Sequence, residues 1–185
     1  MKILNRLGKV IYENENIDNI KELVEEAVRK EISLASADLT GADLTGANLI
    51  GADLIDADLK SANLRDANLR YANLYCTNLR CADLRDANLT GAYLTDAILR
   101  CADLTSANLT GAYLTGADLE GANLIGADLR CADSTGASLR GANLTGANLR
   151  CADLTGANLR GADLMDADLT GANLRGADRT DKGED

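Results

Sequence analysis

Residues 42–56 read ADLTG ANLIG ADLID, three copies of a five-residue unit that continues in both directions along the chain. Ala fills the first slot of this unit at 28 of 29 places in 37–177, with Thr77 as the exception. Leu fills the third slot throughout 39–174 except at Ser134, and Asp or Asn lies between the two apolar residues in most units. The fourth slot is mostly Thr or Arg, and the fifth is most often Gly. A repeat this regular decides the fold before any single residue is considered.

A period of five matches neither a straight strand nor an α-helix. The Ala and Leu of one unit are two residues apart and share one face of an extended segment, so a bend must restore the inward direction before the next Ala. Gly in the fifth slot, as at Gly46 and Gly51, suits that bend because it tolerates backbone angles that other residues avoid. Each unit is therefore predicted to form one side of a coil. Stacked coils would bury a continuous column of Leu at a spacing of roughly 4.8 Å.

The number of units per coil is left open by the residues alone. Like residues recur 20 apart, as at Cys81 and Cys101, but spacings of 5 and 10 also occur. The array resembles the pentapeptide-repeat protein family, with about thirty tandem Ala-Asp/Asn-Leu-x-x units. That resemblance implies an all-β solenoid, a right-handed four-sided parallel β-helix with 20 residues per coil. Residues 33–181 would then form about seven and a half coils.

The two ends of the chain depart from the repeat. Residues 1–32 are predicted to cap the first coil with a short strand over 9–13 and an amphipathic helix over about 17–31, whose apolar residues follow helical spacing. A cap is expected because the terminal coil of a solenoid exposes apolar surface and unpaired edges. At the other end Arg179 ends the Leu series, and residues 182–185 are predicted to be a polar tail.

Composition excludes several classes of function. The chain of 185 residues has no His, so it lacks the commonest general base and metal ligand, and we expect no enzyme, cofactor or metal site. It has 19 basic and 29 acidic residues, a net charge of −10, which disfavours direct binding to nucleic acid. No apolar run reaches the length of a signal-peptide core or a membrane span. With five cysteines, an odd number, we expect a reduced, cytoplasmic protein with no membrane contact.

If four units form a coil, residues 20 apart become surface neighbours. A basic stripe interrupted by Glu120 then comprises Lys60, Arg80, Arg100, Arg140 and Arg160. Tyr93 and Tyr113 would stack as an aromatic feature, and the thiols would form two pairs, Cys81 with Cys101 and Cys131 with Cys151. Each has a plainer interpretation: ion pairs with Asp for the stripe, and small side chains in tight corners for the cysteines. Thiol pairs in register point the same way, which disfavours a disulfide.

The sequence predicts a non-enzymatic interaction or scaffold protein, a rigid rod that presents its surface to an unidentified protein partner. The resemblance also implies an alternative, because some members of the family bind DNA gyrase as acidic mimics of duplex DNA and protect it from quinolones or toxins. Against that alternative, the chain lacks the Phe that often fills the central slot of those proteins, and no looped insertion breaks its array. A structural role in a larger assembly is a third interpretation.

Overall fold

The computed structural model describes residues 1–180 of the chain. It opens with an antiparallel hairpin of two strands, β1 (Lys2–Leu4) and β2 (Val10–Glu13), followed by helix α1 (Ile20–Arg29). The side chain of Asn19 caps α1 by accepting a hydrogen bond from the Glu22 amide at 2.8 Å. The helix is shorter at both ends than the range predicted from apolar spacing. The predicted tail at 182–185 lies outside the described residues.

The rest of the described chain is a solenoid held together by parallel pairing between residues 20 apart. Every second-slot residue from Asp38 to Asn158 forms a parallel bridge with the residue 20 positions later. The third-slot amide donates to the next coil, as in Leu44 N to Asn63 O at 2.8 Å, and the second-slot amide returns a bond, as in Asn63 N to Ala42 O at 2.9 Å. Four five-residue units therefore make one coil.

Each coil has four faces, which we number from their first complete copies. The first face comprises residues 37–41 and their equivalents every 20 residues, the second 42–46, the third 47–51 and the fourth 52–56. In each unit the first three slots are extended and the last two form the corner. With this numbering, the position of a residue in the repeat gives its face and its column on the surface.

The corner is a hydrogen-bonded turn whose fifth-slot residue has a left-handed backbone. The amide of Ala47 donates to the carbonyl of Leu44 at 2.9 Å, and Gly46 between them has a φ of 63°. Cys81 and Asp86 occupy the same slot at 56° and 58°, so Gly is favoured there but not required. The second-slot side chain holds the turn from outside, as where Asp43 Oδ1 accepts the Thr45 amide at 3.1 Å.

The core is a filled stack of Leu and Ala. Leu side chains from Leu44 to Leu154 are at most 1% exposed, which leaves no open interior. Thr77 and Ser134 are the buried polar residues among positions 1–180, and the Thr77 hydroxyl donates to the Leu54 carbonyl at 2.7 Å. Within that part of the chain no helix is long and apolar enough to cross a bilayer.

Candidate functional site

The five basic residues of the predicted stripe lie in the fourth slot of the first face, in one column. Its middle is neutralised by Glu120, whose carboxylate contacts Arg100 Nη1 at 2.7 Å on one side and the Arg140 guanidinium on the other. Asp118 also lies 3.4 Å from Arg100, and together with Glu120 it raises the pKa of that arginine. The column is therefore a ladder of alternating charges in its centre rather than a continuous cationic strip.

The ends of this column differ from its middle. Arg160 has a carboxylate oxygen of Asp178 3.8 Å from its Nε, whereas Lys60 and Arg80 form no ion pair with any residue in 1–180. A shallow groove of about 460 Å³ runs beside Arg140 and Arg160 over the bare backbone of a glycine column. Glu120 also lines this groove, so it offers both charges and selects neither cations nor anions.

Arginines on the other faces are also paired locally. Arg85 binds Asp83, and Arg130 binds Asp128 with its Nε 2.8 Å from Oδ1. Each arginine holds the pKa of its partner aspartate below the ordinary value, chiefly through the side-chain hydrogen bond. Exposed pairs of this kind contribute little to stability, but they show that much of the basic charge is balanced by carboxylates in direct contact with it.

The fourth face and the corner that leads into it carry all the tyrosines of the solenoid. Tyr93 and Tyr113 stack with ring centroids 5.1 Å apart and planes 3° from parallel. The Tyr71 ring lies across the backbone of Gly91, where an added Cβ would come within 2.7 Å of it. Tyr75 stands on the opposite side of the face, and the four rings are 43% to 52% exposed. We call this surface the tyrosine face; sequence analysis singled out two of its four rings.

A groove of about 290 Å³ separates Tyr71 from the stacked pair. Gly91 and Gly111 form part of its floor. The walls are therefore aromatic, and Thr90 and Thr110 complete the lining. Tyr71 and Tyr75 could have been found in the sequence by mapping positions 71 and 75 onto columns that adjoin that of Tyr93.

Carboxylates share this face with the rings. Those that share the fourth face are Asp53, Asp56, Asp96, Asp133 and Asp153, opposed by a single basic residue, Arg175. Asp133 follows Tyr113 directly in the second-slot column and accepts a hydrogen bond from the Thr115 hydroxyl at 3.1 Å. A hydrogen bond to Cys76 is the main cause that raises the pKa of Tyr75, and the carboxylates of Asp96 and Asp56 raise it further. The tyrosine face is thus both aromatic and acidic.

The cysteines occupy fifth-slot corners, and all five are free thiols. Cys81 and Cys101 are successive in the corner column after the first face, while Cys131 and Cys151 are successive in the column after the third. Each has a left-handed backbone, with φ between 54° and 58° for the five residues. Across residues 1–180, no group of three or more His, Cys, Asp or Glu side chains is placed to hold a metal ion.

With this geometry in place, comparison with known proteins identifies the family. The family model for pentapeptide repeats matches in eight copies that together span residues 32–178. The chain therefore belongs to the pentapeptide-repeat proteins, as its sequence predicts, and its stacked four-unit coils agree with that membership. The handedness of the coil stays a prediction.

Solved structures of other pentapeptide-repeat proteins resemble this chain. HetL, involved in heterocyst differentiation regulation in the cyanobacterium Nostoc sp. strain PCC 7120, is 40% identical, with 78% of this chain and 71% of HetL covered and a TM-score of 0.43. Rfr23 from the cyanobacterium Cyanothece 51142 is 30% identical, covering 75% and 91%, with a TM-score of 0.28. QnrB1, a plasmid-mediated fluoroquinolone resistance protein, is 25% identical, covering 77% of each chain, with a TM-score of 0.37. No curated protein matches this chain.

Proposed function

We propose that this protein is a non-enzymatic, cytoplasmic interaction or scaffold protein, and that its solenoid is the right-handed four-sided rod implied by the family. The observation that carries the proposal is that the core positions and the surface positions are separate within each unit. The first and third slots fill the core, so the fourth and fifth slots, with part of the second, are free to vary on the surface. A rigid backbone with variable outward columns is suited to recognising one macromolecule along its length.

The same geometry argues against catalysis as the main activity. Enzymes bind small substrates in concave pockets that bury most of the ligand. Here the interior is packed with Leu and Ala, and the larger grooves are shallow channels between neighbouring surface columns. The chain also has no His to serve as a general base.

Photo-crosslinking from each face tests the proposal. p-Benzoylphenylalanine would replace one exposed apolar residue per face, namely Ile98, Ile125, Ile50 and Tyr113 for the first to the fourth faces. In lysate of the source organism, we expect one protein partner to be captured from one face or from two adjacent faces, while the remaining positions serve as controls. An absence of specific adducts from all four positions would contradict the proposal.

The alternative is an acidic mimic of DNA that binds DNA gyrase. Its support here is the net charge of −10 distributed along a rod. A gyrase supercoiling assay, with the purified protein titrated in the presence and absence of a quinolone, separates the two functions. Under our proposal the protein has no effect, even in large excess over the enzyme. Inhibition or drug protection at low concentration would instead favour the mimic.

A further inference from the structure

We propose that the tyrosine face binds an arginine-bearing segment of a protein partner. This inference rests on the proposed function, and it specifies the chemistry that the rod recognises. Four of the five tyrosines in the chain lie on this one side, in a protein that has no Phe or Trp at all. Such a concentration of exposed rings is not required by the core, which Leu and Ala fill without aromatic residues.

The stacked Tyr93 and Tyr113 leave one face of each ring for a planar cation. Tyr93 and Tyr113 are nearly parallel, and both rings remain about half exposed. A guanidinium group can lie against aromatic rings in a way that the compact ammonium of lysine cannot, because it is planar and weakly hydrated. The groove between this pair and Tyr71 has a volume of about 290 Å³, and at Gly111, where no side chain covers the backbone, a peptide can approach the coil closely.

The charge of the face selects a cation. Five aspartates share the fourth face with Arg175, and Arg70 reaches the Tyr71 ring at its edge, so carboxylates outnumber cations here and a basic segment gains ion pairs. Nucleic-acid bases can also stack on exposed tyrosines, but their phosphates would be repelled here. The electrostatics therefore favour a basic protein segment over a single-stranded nucleic acid.

The protein already makes the proposed contact within itself. The guanidinium carbon of Arg70 lies 5.4 Å from the centroid of the Tyr71 ring. In the N-terminal cap, the ammonium of Lys30 lies 5.4 Å from the ring of Tyr12. The geometry of the first contact shows that a tyrosine at the edge of this face accepts a guanidinium, and Tyr93 and Tyr113 present equivalent rings without an internal cation beside them among the described residues.

Fluorescence anisotropy with labelled peptides tests this inference. The probes are an alternating Arg-Gly octapeptide, its Lys-Gly counterpart and a labelled oligothymidylate. We expect the wild-type protein to bind the arginine peptide most tightly. The double variant Tyr93→Leu/Tyr113→Leu, which keeps the net charge and apolar bulk, should lose about tenfold in affinity, the loss expected for two exposed ring contacts. Equal binding by the variant, or a preference for the oligonucleotide, would overturn the inference.

Two further comparisons exclude a general effect of the acidic surface. Asp96→Asn/Asp133→Asn should weaken binding of the arginine peptide more than the matched change Asp118→Asn/Asp163→Asn on the first and second faces. Gly91→Ala should also weaken binding because its Cβ would push the Tyr71 ring aside. Gly141→Ala, in the corner after the first face, is its control: both glycines have a φ of 63°, but an added Cβ at Gly141 meets nothing within 4 Å. Equal effects within either pair would contradict the inference.

Failure of this inference and failure of the proposed function give different results. If a partner is cross-linked from another face and the tyrosine variants bind the peptide normally, the inference is wrong and the interaction role stands. If the peptide binding depends on the rings but no face captures a partner, the recognition chemistry is supported and the interaction role is contradicted.

Discussion

At the scale of single residues, the second slot serves the turn more than the surface. Its side-chain oxygen accepts the amide two residues later in unit after unit, whether the residue is Asp, as at Asp153, or Asn, as at Asn143. Aspartate and asparagine present the same acceptor oxygen to that amide. The negative charge at this slot can therefore vary without loss of the turn. Much of the acidity of the chain is thus a property of its surface that the fold does not require.

Substitution at Asn88 tests this division. Its Oδ1 accepts both the Thr90 amide at 3.1 Å and the Thr90 hydroxyl at 2.6 Å. We expect Asn88→Ala to lower the free energy of unfolding by about 2 kcal/mol, the value of two such hydrogen bonds. Asn88→Asp should change it by much less because the acceptor is retained. Chemical denaturation of the three proteins measures both effects, and equal losses would show that the amide group itself is needed.

Ser134 is the second residue-scale test because it interrupts a column of buried leucines. It is 1% exposed, and its neighbours in the column are Leu114 and Leu154. We expect Ser134→Leu to stabilise the protein by about 2 kcal/mol, the order of burying one leucine side chain. Ser134→Ala is the control that removes the hydroxyl without filling the space. A lower melting temperature for the leucine variant would show that this coil is shaped around the smaller residue.

At the scale of elements, the N-terminal hairpin and helix close the first coil. Helix α1 buries Leu23, Val24 and Ala27 against it, and the Leu4 carbonyl of β1 accepts the Asp38 amide at 2.8 Å. The helix also bonds to the coil through Lys21 Nζ, which donates to the Thr45 carbonyl at 2.7 Å. These contacts cover apolar surface and satisfy a backbone edge that would otherwise be open.

Acidification should loosen this cap through Glu26. Its carboxylate accepts from Asn14 Nδ2 at 2.8 Å and pairs with Lys30 Nζ at 2.9 Å, and with Tyr12 these groups lower its pKa to about 2. Because the folded-state pKa lies below the unfolded value, the stabilisation is complete above about pH 4.5 and is lost as the pH falls toward 2. The difference in melting temperature between the wild type and Glu26→Gln should therefore shrink over that interval.

The exposed Glu15→Gln serves as the control for this titration. It removes the same charge from the loop before α1 without changing the contacts of Glu26 with Asn14 and Lys30. A constant difference between the wild type and Glu26→Gln from pH 5 to about pH 2 would mean that the carboxylate does not hold the cap.

At the scale of the whole molecule, each coil contacts only its neighbours, so stability should vary along the rod. Leu164, Leu169 and Leu174 in the last described coil are only partly buried. Their equivalents one coil earlier are at most 1% exposed. We expect amide hydrogen exchange to be slowest in the central coils and faster toward residues 160–180, measured by mass spectrometry of proteolytic peptides. Uniform protection along the solenoid would show that it unfolds as a single cooperative unit.

The repeat predicts the solenoid because every unit places Ala and Leu toward the core in the same way. It predicts less about the contacts among surface side chains. The column of basic residues follows from a spacing of 20, whereas the link from Glu120 to Arg100 and Arg140 depends on side-chain rotamers that no periodicity specifies. The column of Tyr71 also follows from that spacing, but the placement of its ring over Gly91 of the next coil does not. Gly suits the bend, as predicted, but the sequence pattern does not show that other residues can adopt the same backbone conformation. The hydrogen bonds of the turn hold Cys81 in the left-handed region as well.

The pairing of residues 20 apart also sets how such a gene can change in length. Loss or duplication of five codons would keep every Ala and Leu in phase with the core, yet each later side chain would move to the adjacent side of the rod. Loss or duplication of 20 codons would keep both the core and the sides, and it would change only the length. Evolution therefore has two kinds of step available here, one that redistributes the surface chemistry among the faces and one that extends each face without disturbing it.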